Sequence, residues 1–368
     1  MFKHIFFPIF LFLVGNNYHA QCEDITLASI TNPGPYSVST LIEGIDEIRN
    51  GPDYDGATIY YPNNGVPPYS GIAIVPGYCG VELDIQDWGP FYASHGIIAI
   101  TLGTNDPCAD WPASRALALL DAIETVKSEN TRDASPLNGK VNVNSFAVSG
   151  WSMGGGGAQL AASLDPSLKA IIGLCPWLDL NGFENTDLIH NVPVLIFTGQ
   201  NDDIANSAEY GYMHYQTTPA STEKLFFEMS NSGHDAANSP DMSSGEAGIY
   251  AISWLKTYLL QDPCYCGFLL ENPLNASAYE TNIECELLEL TGSDNEELML
   301  PYPNPSNEYI FISVEGLAEV AYKIYDMAGK CAKSGFVSQQ RNKIPIDDLV
   351  NGPYVLKTGN QVYQFVKY

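Results

Sequence analysis

The sequence predicts an α/β fold, a mostly parallel sheet flanked by helices, followed by a small all-β module. Three observations carry this. Between about residues 57 and 260, short apolar runs alternate with helical patterns, the signature of strands joined by crossover helices. Several of those runs are continuous rather than alternating, as strands buried on both faces require. From about residue 291 the pattern changes to period-two alternation broken by turn residues, which reads as antiparallel strands.

The elements follow in order. Strands are expected at ATIYYP (57–62), GIAIVPG (71–77), GIIAITL (96–102), NSFAVSG (144–150), AIIGLCP (170–176), PVLIFTG (193–199) and KLFFEMS (224–230). Helices are expected at Pro112 to Lys127, Gly155 to Leu164, Ala205 to Thr217 and Gly245 to Leu260. After an acidic linker at 291–300 and a proline-rich turn come YIFISV, VAYKIYD, NGPYVLKT and QVYQFVKY, expected to form a small β-sandwich over 301–368. That module holds no histidine and reads as a binding or targeting appendage.

The two ends and the charge bound the function. Residues 1–20 pair a basic start at Lys3 with an apolar stretch from Ile5 to Val14 and a small residue, Ala20. This is the pattern of a secretory signal cleaved after Ala20. No later segment has the roughly eighteen consecutive apolar residues of a membrane span, so the mature chain, with a catalytic domain over 21–290, is expected to be secreted and free of stable membrane insertion. With 43 acidic against 16 basic residues the net charge is -27. Such a field repels nucleic acid and anionic lipid and suits a neutral or apolar substrate.

Export permits disulfides. Of eight cysteines, Cys175 ends an apolar run and reads as a buried thiol, and Cys331 lies in the C-terminal module. The other six could pair in fifteen ways. Cys79 with Cys108 is favoured, because both fall in loops directly after predicted strands. Cys264, Cys266 and Cys285 are close in sequence, and one of them is a candidate partner for Cys22.

The chemistry centres on NSFAVSGWSMGGGG, a strand, a sharp turn and a helix carrying G-x-S-x-G at Gly150 to Gly154. Alone the motif is weak. Between a buried strand and a helix it is the nucleophile elbow of an α/β-hydrolase, with Ser152 raised above the sheet edge and glycines leaving room for a crowded backbone. A phosphate-cradling turn would need the lysine of a Walker motif or the spacing of a dinucleotide loop, and neither is present.

Serine needs a base. His95 lies in a turn before a strand, His190 precedes a strand at the opposite edge, and His214 falls in a tyrosine-rich helical pattern expected at the surface. His234 alone follows a strand, in the loop NSGHDAAN, and so shares the carboxyl edge of the sheet with Ser152. The acid should follow another strand and lie between serine and histidine. Asp202 and Asp203 both qualify and the residues themselves leave the choice open; Asp235 is adjacent to His234 and points away from its ring. The oxyanion hole requires two backbone N–H groups, for which Met153 and Tyr78 are the candidates. No metal-ligand cluster or cofactor motif occurs, and none is expected.

GWSMGGGG together with VPGYCG, CPW, QNDDIA and GHDAAN resembles the cutinase-type polyester hydrolases, including bacterial enzymes that degrade poly(ethylene terephthalate). The likeness spans about residues 30 to 285 and is densest from 71 to 256, with WGPFYASHG, PASRA, DPSLKAIIGLCPW, PVLIFTG and AISWLK in further agreement. It implies Ser152 as nucleophile, His234 as base and Asp202, the first of the pair, as acid. It also implies Tyr78 and Met153 as oxyanion-hole residues, with Tyr78, Trp151, Trp177 and Ile204 lining a shallow cleft. One departure matters: a disulfide often joins the acid and histidine loops of the terephthalate-active enzymes, and Gly199 and Ala236 stand where its cysteines would be. Those loops are therefore expected to be tied less firmly, while a Cys79–Cys108 bridge would stiffen the oxyanion loop instead.

LPYPNPSNEYIFI, IYDMAGK and LVNGPYVLKTG…FVKY occur in order at the C-terminus. They resemble the sorting domain of type IX secretion in Bacteroidota, which implies periplasmic transit and export across the outer membrane through that machinery. The expectation is a secreted, monomeric serine esterase acting on polyesters or small esters. A lipase or general carboxylesterase with the same triad is the main alternative. A dienelactone hydrolase would ordinarily use cysteine at position 152, and a catalytically silent adhesin is the reading from a different class.

Overall fold

A computed structural model describes residues 25, 30, 33–178, 188–285, 301, 303–312, 320–326, 330–338, 342–358 and 361–368. The expected signal peptide with its cleavage point, Cys22 and the 291–300 linker lie outside the described residues. The chain divides into two units, Met1–Leu288 and Glu289–Tyr368.

The first unit is built on a nine-stranded sheet. Its strands are β1 (Val38–Ile42), β2 (Ala57–Pro62), β3 (Tyr69–Val75), β4 (Ile98–Leu102), β5 (Val141–Trp151), β6 (Ala170–Leu174), β7 (Val194–Gly199), β8 (Lys224–Met229) and β9 (Ala276–Thr281). They lie in the order β1-β2-β4-β3-β5-β6-β7-β8-β9. The central pairings from β4 through β8 are parallel. The edges close with antiparallel pairs, β1 with β2, β2 with β4 and β8 with β9. All seven expected strands are present. β1 and β9, which sequence reading passed over, are edge strands, with one buried residue in β1 and none in β9, so neither carries a strong apolar run.

The helices are α1 (Trp88–Ser94), α2 (Pro112–Glu129), α3 (Met153–Leu164), α4 (Gly211–Thr217) and α5 (Glu246–Tyr258). Pro112 opens α2, where its missing N–H costs nothing. Continuous strands such as β3, β4, β6 and β7 are buried along their whole length, and two apolar clusters cover the two faces of the sheet.

The helix expected over Ala205 to Thr217 starts only at Gly211. Ahead of it, Asp202 Oδ1 accepts from the Ile204 and Ala205 N–H groups, and Asn206 Oδ1 accepts from Ala208. These side chains compete with helical hydrogen bonding and hold the segment as turns. His214, expected at the surface, is fully buried. The face of α4 bearing it turns toward α3, where His214 Nδ1 lies 2.7 Å from Gln159 Nε2. Tyr212 and Tyr215 stack with each other, and both pack at an angle against Phe226.

The second unit is antiparallel throughout its named strand pairs. β10 (Tyr309–Phe311) pairs with β13 (Lys343–Pro345), and a four-stranded sheet runs β12 (Cys331–Val337), β11 (Val320–Asp326), β14 (Gly352–Thr358), β15 (Gln361–Lys367). Both sheets contribute to one small core that includes Ile310, Ile324, Ile344 and Leu356.

Candidate active site

The parallel strands deliver their C-terminal loops to one edge, and three of those loops meet over α3. Ser152 links β5 to α3 with φ 55° and ψ -120°, a backbone conformation that a non-glycine residue adopts only under constraint. Its neighbours explain how the constraint is held. A Cβ on Gly150 would lie 2.2 Å from Gly154 O, and one on Gly154 would lie 2.3 Å from Val75 O. The turn closes only because both are glycine.

The following glycines serve chiefly contacts of the helix, though a Cβ on Gly155 would also lie 2.9 Å from Gly150 O in the turn. A Cβ on Gly155 would meet Pro176 at 2.9 Å, one on Gly156 would meet Trp177 O at 2.2 Å, and one on Gly157 would meet Arg115 Cβ at 2.8 Å. Roughly 3 kcal/mol of helix propensity is forgone at these three positions, and what it permits is close approach of α3 to the 176–177 segment and to α2.

The structure brings Ser152, His234 and Asp202 together. Ser152 Oγ lies 2.9 Å from His234 Nε2, and His234 Nδ1 lies 2.8 Å from Asp202 Oδ2. Asp202 is buried, and its second oxygen accepts from Ile204 N–H at 2.9 Å and Ala205 N–H at 2.8 Å. Those two bonds fix the carboxylate's orientation toward the ring. Asp203 and Asp235 are exposed, so the choice that spacing left open falls to the first of the pair. His95, His190 and His214 are all buried away from this chain of bonds. Burial pulls His190 and His214 down to about 4, so both are neutral at ordinary pH.

Tyr78 and Met153 flank the serine. A Cβ on Gly77 would sit 2.7 Å from Ser152 Cβ, so the 77–78 peptide passes directly over the serine. Met153 is the first residue of α3, and its N–H is among the donors that a helix cannot satisfy internally. The loop carrying Tyr78 is braced from outside. Cys79, at φ 51°, is bonded to Cys108, and Cys79 N–H donates to Pro107 O at 2.7 Å. The buried Arg115 guanidinium donates to Pro76 O at 3.0 Å and to Pro107 O at 2.8 Å. Burial lowers Arg115 only to about 10, so it remains a cation. The favoured Cys79–Cys108 pairing is present; Cys266 is joined to Cys285, and Cys264 is also disulfide-bonded. Cys175 is a free buried thiol, pushed well up by burial, and Cys331 is free and exposed.

Across the serine, the acid and histidine loops carry no disulfide, yet they are closely joined. Asn201 N–H donates to Ser232 O at 2.8 Å and Gln200 N–H to Met229 O at 3.0 Å. Asn231 N–H donates to Gln200 Oε1 at 2.9 Å. A Cβ on Gly199 would lie 2.1 Å from Gly233 O. The expected looseness is thus offset by backbone contact that a side chain at 199 would exclude.

Of the expected lining residues, Tyr78 and Ile204 are exposed at 57% and 62%. Trp177 N–H donates to Ser152 O at 2.8 Å, which fixes this tryptophan beside the serine. Trp151 is half-buried, its indole N–H donating to His234 O at 2.8 Å while its ring packs on the imidazole at 5.3 Å. It thereby holds the histidine loop. Two aromatics that sequence reading did not single out flank Trp177: Trp111 at 5.9 Å and Tyr210 at 5.8 Å between ring centroids. Among the described residues no group of three or more His, Cys, Asp or Glu is placed to hold a metal ion, and no helix is long and apolar enough to cross a membrane.

Residues 15–286 match the family described as PET hydrolase-like. The chain belongs to that family. Its residues 301–368 match the secretion system C-terminal sorting domain. Similar proteins include cutinase est1 of Thermobifida alba, 35% identical over 65% of this chain and 76% of that protein. A cutinase of Thermobifida fusca is 36% identical over 65% of this chain and 75% of its own length. The bis(hydroxyethyl) terephthalate hydrolase of Streptomyces coelicolor is 34% identical over 65% and 73%. In this PET hydrolase-like chain the matched region contains every residue of the site just described.

Proposed function

We propose that the protein is a secreted serine ester hydrolase acting on polyesters, poly(ethylene terephthalate) among them, through Ser152, His234 and Asp202. The observation that carries this is the continuous chain Ser152 Oγ–His234 Nε2–His234 Nδ1–Asp202 Oδ2, at 2.9 and 2.8 Å, on a strained turn at the head of a helix. His234 takes the serine proton as Oγ attacks an ester carbonyl, and Asp202 holds the ring's orientation and balances the imidazolium that forms. The tetrahedral oxyanion is stabilised by the Tyr78 and Met153 N–H groups together with the positive end of α3. His234 then returns the proton to the leaving alkoxide, and water repeats the cycle on the acyl-enzyme.

Several observations support an ester of apolar, chain-like substrate. Tyr78 and Ile204 are exposed apolar side chains, Trp177 N–H bonds to Ser152 O, and Trp151 packs beside His234. The strongly acidic chain disfavours anionic substrates. Relatives named for cutinase and terephthalate-ester hydrolysis point the same way. The C-terminal module supports export by the type IX route after a signal peptide at 1–20, and the catalytic unit is read as a monomer. A triacylglycerol lipase or general carboxylesterase would use the same three residues.

The test is product analysis with amorphous poly(ethylene terephthalate) film, beside p-nitrophenyl esters of rising chain length. Terephthalate or its mono-hydroxyethyl ester is expected, and Ser152→Ala is expected to abolish hydrolysis of every substrate. A steep optimum at long acyl chains with no terephthalate released replaces the polyester reading with lipase. Activity surviving in Ser152→Ala removes the serine from its role.

A further inference from the structure

Trp111 has no part in the serine's chain of hydrogen bonds, yet folding alone does not explain its exposure. It precedes Pro112 at the start of α2 and is exposed at 56%. A large indole left in water forgoes much of the gain its burial would bring. Its position is nevertheless firmly set. Trp111 O accepts from Arg115 N–H at 3.1 Å within the first turn of α2. Three residues earlier the chain is bonded through Cys108 to Cys79, and Pro107 O accepts from both the Arg115 guanidinium and Cys79 N–H. The loop that presents Trp111 is thus the same loop that braces Tyr78.

The ring lies 5.9 Å from that of Trp177, inclined at 44°, and the Tyr210 ring lies 5.8 Å from Trp177 at 29°. These separations fall in the range of favourable aromatic pairs. Trp177 itself is tied to Ser152 by its N–H. Trp177, beside the nucleophile, thus has two aromatic neighbours, of which Trp111 is open to solvent.

We propose that Trp111 forms an outer aryl-binding subsite, taking the aromatic ring of the repeat unit next to the one being cleaved. This rests on the polyester reading and deepens it by naming what the site recognises beyond the scissile ester: a second flat ring in the same chain. A chain of rings joined by ester links presents such faces repeatedly, and a rigid exposed indole meets one at little entropic cost. A purely aliphatic chain would gain only apolar contact there, which a leucine would supply equally well.

The experiment uses the full chain. Rates are measured on p-nitrophenyl acetate, on bis(2-hydroxyethyl) terephthalate and on its two-ring linear oligomer, for wild type and for Trp111→Ala, Trp111→Leu and Trp111→Tyr. Equilibrium binding of the two-ring oligomer is measured separately in a Ser152→Ala background, with and without Trp111→Ala. The expected result is a loss of about tenfold in kcat/KM on the oligomer for Trp111→Ala beyond any loss on p-nitrophenyl acetate, matched by a similar weakening of oligomer binding. Trp111→Tyr should recover most of it and Trp111→Leu little. Equal losses on all three substrates, unchanged oligomer binding, or recovery by leucine as complete as by tyrosine would each overturn the aryl subsite. A wild type active on p-nitrophenyl acetate but inert on the oligomer overturns it too. A wild type inert on every ester overturns the enzymatic reading on which it rests.

Discussion

The two sides of Ser152 are held by different means. On the oxyanion side, the Tyr78 loop is fastened to the 107–111 loop by a disulfide, a backbone hydrogen bond and a buried guanidinium that reaches both. On the acid–base side, the Asp202 and His234 loops share no covalent link and are joined by backbone hydrogen bonds and a contact at Gly199 with no space for a methyl group. The first arrangement is redundant, with three ties of different chemistry. The second depends on shape, so one added carbon should do more harm there than one broken bond does on the other side.

Gly199→Ala tests this most severely. The new methyl would fall 2.1 Å from Gly233 O, a backbone atom that can yield only by moving the segment that carries His234. Displacements of about 1 Å at a reacting group cost on the order of a hundredfold in rate. The variant is therefore expected to lose about that much kcat on p-nitrophenyl acetate while still folding, with the hydrogen bond from His234 to Ser152 lengthened. Activity within twofold of wild type would show that the acid–base side has more slack than its contacts imply. The same crowding makes a Gly199→Cys and Ala236→Cys pair a poor route to stiffening these loops.

The matching change on the other side is the pair Cys79→Ser and Cys108→Ser. Opening a loop of this length should lower stability by about 3.6 kcal/mol, visible as a drop in Tm. The rate should fall only a few-fold, because Arg115 and Cys79 N–H still hold Pro107 and Pro76 in place. A loss of rate as large as that of Gly199→Ala would make the covalent tie the one that positions Tyr78 and erase the contrast.

The same division appears in what sequence reading could reach. Ser152 and His234 were legible because each follows a recognisable buried strand, and position on a parallel sheet puts them on one edge. Asp202 and Asp203 share that position, and they are separated by burial and by the backbone bonds at Asp202 Oδ1, which turn the other oxygen toward His234. The Cys79–Cys108 pairing was within reach because both cysteines follow strands. Arg115, Trp111 and Tyr210 were not singled out, since their roles depend on partners that the sequence does not place beside them: Pro76, Pro107 and Trp177. His214 was misplaced for a related reason. A seven-residue helix is under two turns, too short for periodicity to say which face is buried. Gly199 ends an apolar strand like many glycines, and nothing local reveals that Gly233 presses against it.

The buried histidines extend the contrast to pH. His214 lies on α4, downstream of the Asp202 loop, with Gln159 Nε2 at 2.7 Å; His190 precedes β7, the strand that leads to Gly199. Burial lowers both from an ordinary value of 6.5 to about 4. Above pH 6.5 neither folded nor unfolded chain binds the proton, and they leave stability unchanged. Between 6.5 and about 4 the unfolded chain takes up a proton that the folded chain refuses, so stability falls with falling pH, by roughly 3 kcal/mol for each histidine across the window. Arg115, at about 10, keeps its charge throughout this range. The expected outcome is a Tm that declines from pH 6.5 toward 4, with a shallower decline in His214→Gln, which retains a hydrogen-bonding partner for Gln159 but has nothing to protonate. At pH 7 the effect vanishes and the two proteins differ only by the substitution itself. An unchanged slope in His214→Gln would mean that acid stability is governed elsewhere, and that the acid–base side is distinguished by its contacts alone.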